Sequence, residues 1–168
     1  MHLVVGGGCV SDVTMEIDIM NFEIDQSGKI EKTGKHTYLA LSNHKKIIVK
    51  LPAREKQELQ KIFRRMGKRR LFVYATFAII FIIAVRKMRL ANNTFVIDRE
   101  YPGKDELIKD LISNYYPKIS RRQILIRPIG KKSKAHFLAY GAALKKIKPD
   151  IIVTKDEILK IIKKPGNA

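Results

Sequence analysis

Phe22-Glu23-Ile24-Asp25-Gln26-Ser27-Gly28 begins as alternating apolar and acidic side chains and ends on a glycine. The period of two predicts a strand with Glu23 and Asp25 on one face and Ile24 on the other, and Ser27-Gly28 predicts a tight turn directly after it. A second stretch has the same form. Phe95-Val96-Ile97-Asp98-Arg99-Glu100-Tyr101-Pro102-Gly103 runs from apolar residues to acids and then to a breaker. Open α/β sheets place their sites beyond the carboxyl ends of their strands, where both acid pairs are expected to lie.

These acids stand out because the 168-residue chain holds 34 Lys and Arg against 16 Asp and Glu, a formal net charge of +18. Such a field draws polyanions, so nucleic acid is the leading expected partner and an anionic membrane the lesser one. Acids ringed by cations suggest a metal facing a phosphate backbone. A single cysteine, Cys9, excludes an intrachain disulfide. Without a Cys/His cluster of zinc spacing, a hard cation, Mg²⁺ or Mn²⁺, is the expected cofactor. A reducing, cytoplasmic location follows from the cysteine usage, and the abundance of Ile and Lys fits a thermophile with an AT-rich genome.

Leu71 to Val85 carries no charge and lies between Lys68-Arg69-Arg70 and Arg86-Lys87. At ~1.5 Å per residue the run covers ~22 Å of a hydrocarbon layer of ~30 Å, which favours a helix inside an α/β core over a membrane span. The N-terminus lacks a basic leader region, and Gly6-Gly7-Gly8 interrupts its apolar run. Residues 1–14 are expected to be a flexible extension, or sequence read ahead of a start at Met15, with an edge strand at Leu3 to Val5 as the ordered alternative. Residues 15–164 are expected to form a single domain.

Along that domain the pattern predicts strands at Phe22–Asp25, His36–Leu41 and Lys46–Leu51 as an antiparallel meander. Helix is expected from about Ala53 to Leu90, opened by Pro52 and interrupted at Gly67. A strand at Thr94–Ile97 leads to a helix from about Lys104, closed by Pro117. A further strand, Gln123–Arg127, leads to a helix from about Ser133 to Lys146. A short strand or extended stretch at Ile151–Val153 then precedes a last helix, Lys155–Lys163, with Thr154 and Glu157 forming a capping box. Pro165-Gly166-Asn167 reads as a frayed end.

This order resembles the ribonuclease H-like fold, a mixed five-stranded sheet of three antiparallel strands followed by alternating helices and strands, flanked by helices. Asp25-Gln26-Ser27-Gly28 is similar to the Asp-x-Ser-Gly first-strand motif of a poorly characterised domain family of that superfamily in bacteria and archaea. Ile97-Asp98 with Glu100-Tyr101-Pro102-Gly103-Lys104, and Ile129-Gly130-Lys131-Lys132-Ser133 with Ala135-His136, resemble later motifs of its archaeal relatives. The resemblance implies metal-binding acids at the ends of the first and fourth strands, Asp25 and Asp98 here, that serve phosphodiester cleavage. Two departures stand beside it. The glutamate expected on the first long helix has no counterpart in Leu71 to Val85, and the final helix offers His136 rather than an acid.

The candidate catalytic residues are therefore Asp25, Asp98 and His136, with Asp25, Asp98 and Glu100 as candidate metal ligands. Glu100 qualifies because it lies two residues beyond Asp98, and His136 because it can act as ligand or proton shuttle one helical turn beyond Lys132. Each acid could equally be a solvent-facing strand-end carboxylate, and His136 a surface or core histidine. Ser27, Lys104, Lys131, Lys132, Ser133, Arg121 and Arg122 are candidate contacts for phosphate or nucleic acid. Gly130-Lys131-Lys132-Ser133 opens a helix and so suits an anion, although Ser133 also suits a simple N-cap. It is not a phosphate loop of the Walker type, whose first glycine would fall at Leu125. His36 and His44 read as surface residues. Three functions remain open: a metal-dependent nuclease-like protein acting on the phosphodiester backbone, a non-catalytic nucleic-acid-binding protein of the same fold, and a small membrane-associated protein anchored by residues 71–85.

Overall fold

A computed structural model describes residues 21–164. The expectations for residues 1–14, for a start at Met15 and for Pro165-Gly166-Asn167 lie outside the described residues. The architecture is α/β, a mixed sheet of six strands flanked by helices. In chain order the elements are β1 (Asn21–Ser27), β2 (Thr37–Ser42), β3 (Lys46–Leu51), α1 (Ala53–Arg65), α2 (Phe72–Met88), β4 (Thr94–Ile97), α3 (Asp105–Tyr115), β5 (Ile124–Ile126), α4 (Lys134–Ala143), β6 (Ile151–Ile152) and α5 (Lys155–Lys163).

The sheet runs β5-β4-β1-β2-β3-β6. β1, β2 and β3 form the antiparallel meander, and β4 pairs parallel with β1, Ile24 opposite Ile97. β5 continues that side in parallel. The expected five-stranded sheet is corrected to six by β6, which pairs parallel with β3. Asp150 makes this possible: its amide donates to the Ile48 carbonyl at 2.8 Å and its carboxylate accepts from the Ile48 amide at 2.7 Å.

Strand period two divides the core. Phe22, Ile24, Leu39, Leu41, Phe95 and Ile97 face the larger layer, where α2 runs against the sheet between α1, α3 and α5. Tyr38, Ala40 and Ile48 face the opposite side, under Leu138, Ala139 and Ala142 of α4. α2 is apolar on nearly every side because it is enclosed, with Phe77, Phe81 and Ile79 fully covered. The stretch Arg69–Met88 is long and apolar enough to cross a membrane, with a mean hydropathy of 2.0, and 61% of it is buried inside the protein.

The helical stretch expected from Ala53 to Leu90 is two helices, interrupted at Gly67 as expected. Gly67, at φ +72°, takes the left-handed position after α1, with Gly67 N–H donating to Arg64 and Lys68 N–H to Phe63. At α5, Thr154 accepts from the Glu157 amide at 3.3 Å, which is one half of the expected capping box. The Glu157 side chain meets the Thr154 hydroxyl instead of its amide.

The β1–β2 connection is held from beneath by a buried lysine. Lys56 donates to the Lys29 and Lys32 carbonyls and to the Thr37 hydroxyl at 3.0, 2.8 and 2.9 Å. Burial lowers its pKa to about 8, so the ammonium stays charged at neutral pH while three acceptors satisfy it.

Candidate functional site

The parallel register of β1 and β4 brings Asp25 and Asp98 together. Asp98 N–H donates to the Ile24 carbonyl at 2.9 Å, which sets Asp98 beside Asp25 on the next step of the ladder. Glu100 turns back from the loop beyond β4. Asp25, Asp98 and Glu100 each present a carboxylate oxygen, and these three oxygens lie within 4.8 Å of one another.

Asp25 and Asp98 are held by different neighbours. One Asp25 oxygen accepts from the Gln26 amide at 2.8 Å, and the other lies 2.7 Å from Nδ1 of His136 on α4. With a carboxylate as its partner, Nδ1 carries the hydrogen that it donates. Asp98 Oδ1 accepts from the Ile129 amide at 2.9 Å, so the β5–α4 loop closes over it.

Three acids in one place raise the cost of charging them. Burial pushes the Asp25 carboxyl above its ordinary range, against the opposing pull of the His136 hydrogen bond. Glu100 is pushed up to about 7, first by burial and then by the charges of Asp25 and Asp98, with Lys29 opposing. The donor set is all oxygen, the kind that a hard divalent cation such as Mg²⁺ or Mn²⁺ takes.

The structure therefore brings together Asp25, Asp98, Glu100 and His136, and leads Lys131 and Lys132 past them on the exposed loop between Ile129 and α4. It separates the other candidates. Ser133 is buried and its hydroxyl oxygen accepts from the Ala135 amide at 3.2 Å, the N-cap role that the sequence also allowed it. Arg121 and Arg122 precede β5, at the end of the sheet opposite the carboxylates, and Arg121 is paired with Glu106 and Asp110 of α3. The nucleic-acid contact expected of them is therefore separate from the carboxylate cluster.

Lys104 lies at the start of α3, its ammonium 5.5 Å from the centroid of the Tyr74 ring. Ser27 lines a separate hollow with Gly28, Lys35, His36 and Lys145. His36 accepts from the Ala53 amide at 3.0 Å and is exposed, and His44 packs on Phe22.

Further residues hold the site in place. Gln26 points to the face opposite Asp25 and donates to the Tyr101 hydroxyl at 3.0 Å, tying β1 to the turn after Glu100. Burial raises the Tyr101 pKa, so the phenol stays neutral. Tyr140 stacks on His136 with ring planes 7° apart and 5.9 Å between centroids. The helical spacing of His136 and Tyr140 was the available signal for that stack; nothing local pointed to Gln26. No protein-family model, curated protein or solved structure matches the chain.

Proposed function

We propose that this protein is a divalent-metal-dependent nuclease of ribonuclease H-like fold that acts on the phosphodiester backbone of nucleic acid. The observation that carries this reading is the Asp25–Asp98–Glu100 cluster, three carboxylate oxygens within 4.8 Å at the end of paired parallel strands. The fold assignment is supported by the position of β4 beside β1 and by the meander on the other side of β1. Mg²⁺ or Mn²⁺ bound there supplies Lewis acidity toward a phosphoryl oxygen and toward attacking water. Asp25, Asp98 and Glu100 hold the cation. His136 orients Asp25 through Nδ1–H and leaves Nε2 to exchange protons. Lys131, Lys132 and Lys29 bring positive charge to the incoming phosphates.

A second reading is favoured by one feature. The three acids are joined by a histidine rather than a fourth acid, and a site so equipped can bind nucleic acid without cutting it. Single-turnover cleavage of labelled RNA, DNA and hybrid strands, with each metal and with Asp98→Asn as control, separates the two. Metal-dependent cleavage by the parent chain that vanishes in Asp98→Asn supports the nuclease. Binding without cleavage supports the second reading, and equal residual cleavage in both proteins marks a contaminant.

A further inference from the structure

The same end of the sheet carries a concentrated positive feature. Lys68, Arg69 and Arg70 of the α1–α2 turn and Lys104 at the start of α3 line one groove of about 950 Å³ with Tyr74 and Leu107, and among the described residues no acid lines it. Among the described residues none of the four cations is in a salt bridge. The backbone presenting them is fixed, because the Gly67 closure of α1 passes into a 3-10 turn at Arg69–Leu71 that leads directly into α2.

The groove is joined to the carboxylates. Tyr74 on its wall meets Tyr101 edge-on at 5.6 Å, and Tyr101 receives the Gln26 hydrogen bond one residue from Asp25. Glu100 and Lys104 lie on the same short loop between β4 and α3. Four like charges held around one hollow repel one another, and a polyanion laid among them offsets that repulsion. Cations contributed by two separate elements suit a repeating row of phosphates, and a concave wall suits a strand better than a flat lipid surface.

We propose that this groove binds the phosphodiester backbone of a nucleic-acid strand, and that the same strand continues to the carboxylate cluster. The inference rests on the reading that the protein acts on nucleic acid, but it concerns binding and not cleavage.

The test uses the full chain carrying Asp98→Asn, in EDTA, with fluorescence anisotropy of 5′-labelled 20-nucleotide RNA and DNA across a salt series. Arg69→Ala/Arg70→Ala is expected to raise Kd at least about tenfold near 0.1 M salt. It should also reduce the slope of log Kd against log salt by about 1.4, as two lost contacts to a single strand require. Lys104→Ala alone is expected to raise Kd about threefold, which keeps the test valid if the double variant misfolds. Lys118→Ala/Arg122→Ala removes the same charge at the far end of the sheet and is expected to change Kd less than twofold.

Equal losses in both double variants would show diffuse attraction and overturn the groove, as would unchanged binding in Arg69→Ala/Arg70→Ala. Loss of binding to vesicles containing 30% phosphatidylserine, with nucleic-acid binding intact, would assign the groove to membranes and overturn it too. Failure of the parent chain to cleave would refute the nuclease reading and leave these outcomes unaffected.

Discussion

His136 Nδ1 lies 2.7 Å from Asp25 Oδ2, across 111 residues of chain, and this bond joins the only helix on its face of the sheet among the described residues to the central strand. A buried carboxylate with a single side-chain partner depends on it. On the proposed nuclease reading, in which the ring positions Asp25 and exchanges protons, His136→Ala is expected to slow single-turnover cleavage by about 10²-fold while changing nucleic-acid Kd less than about threefold. It should also cost about 1–3 kcal/mol of stability, since it strands the Asp25 oxygen. His136→Gln, which restores a donor, should recover stability but not rate. Chemical denaturation and quench-flow on the same proteins check both halves.

Glu100 gives the site a pH dependence. Its folded pKa of about 7 lies above the ordinary carboxylate value, so the folded protein binds more protons than the unfolded chain between about 4.5 and 7. Its contribution to stability is full below that window and is lost as pH rises through it, by about 1–2 kcal/mol after allowance for its partial exposure. Asp25 shifts in the same direction. Without divalent cation, Tm is expected to fall between pH 5 and pH 8. Mn²⁺ should raise Tm more at pH 8 than at pH 5, where protons hold the site. Differential scanning calorimetry at the two pH values, with and without metal, decides this.

On the same proposed reading, Asp98→Asn is expected to abolish metal-dependent cleavage and leave the fold intact. The amide oxygen still accepts from Ile129 N–H, whereas the charge that draws a hard cation is gone. One fewer negative charge beside Glu100 should also lower the Glu100 pKa, which the carboxyl resonance in NMR titration reports.

Gly28 turns β1 toward β2 at φ +82°, and a Cβ there would stand 2.2 Å from the His36 carbonyl oxygen. Gly28→Ala is expected to destabilise the protein by roughly 2–3 kcal/mol, combining left-handed strain with a backbone clash. Urea unfolding measures it.

Lys56→Ala leaves the Lys29 and Lys32 carbonyls without their donor and opens a void under the same turn. A loss of about 2–4 kcal/mol is expected, again by urea unfolding.

The meander, the two acid-bearing strands and the helices were readable locally. Alternation in 22–25, the β-branched run at 94–97 and the apolar spacing of α3 are properties of short windows. The carboxylates were readable as candidates for the same reason: Asp25 and Asp98 each end an apolar strand. What local sequence did not carry was pairing at a distance. Arg121 resembles a phosphate contact until Glu106 and Asp110 come round on α3 to meet it. Ile151–Val153 was readable as a short strand or extended stretch, but its pairing beside β3, where Asp150 bonds Ile48, was not. Lys56 looks like one more solvated cation on an amphipathic helix, yet its ammonium reaches carbonyls in a turn folded earlier in the chain.

β1 stands near the middle of the sheet, and its neighbours arrive in two instalments. β2 follows within a few residues, but β4, which completes the acid cluster, and α4, which brings His136, come much later in the chain. A ribosome making this protein therefore exposes Asp25 long before the groups that surround it exist. The cluster can form only once Asp98 and Glu100 have left the exit tunnel, and Asp25 gains its histidine later still. Any activity of this centre is thus timed by synthesis itself: a nascent chain stalled before α4 carries the acids without the residue that orients them.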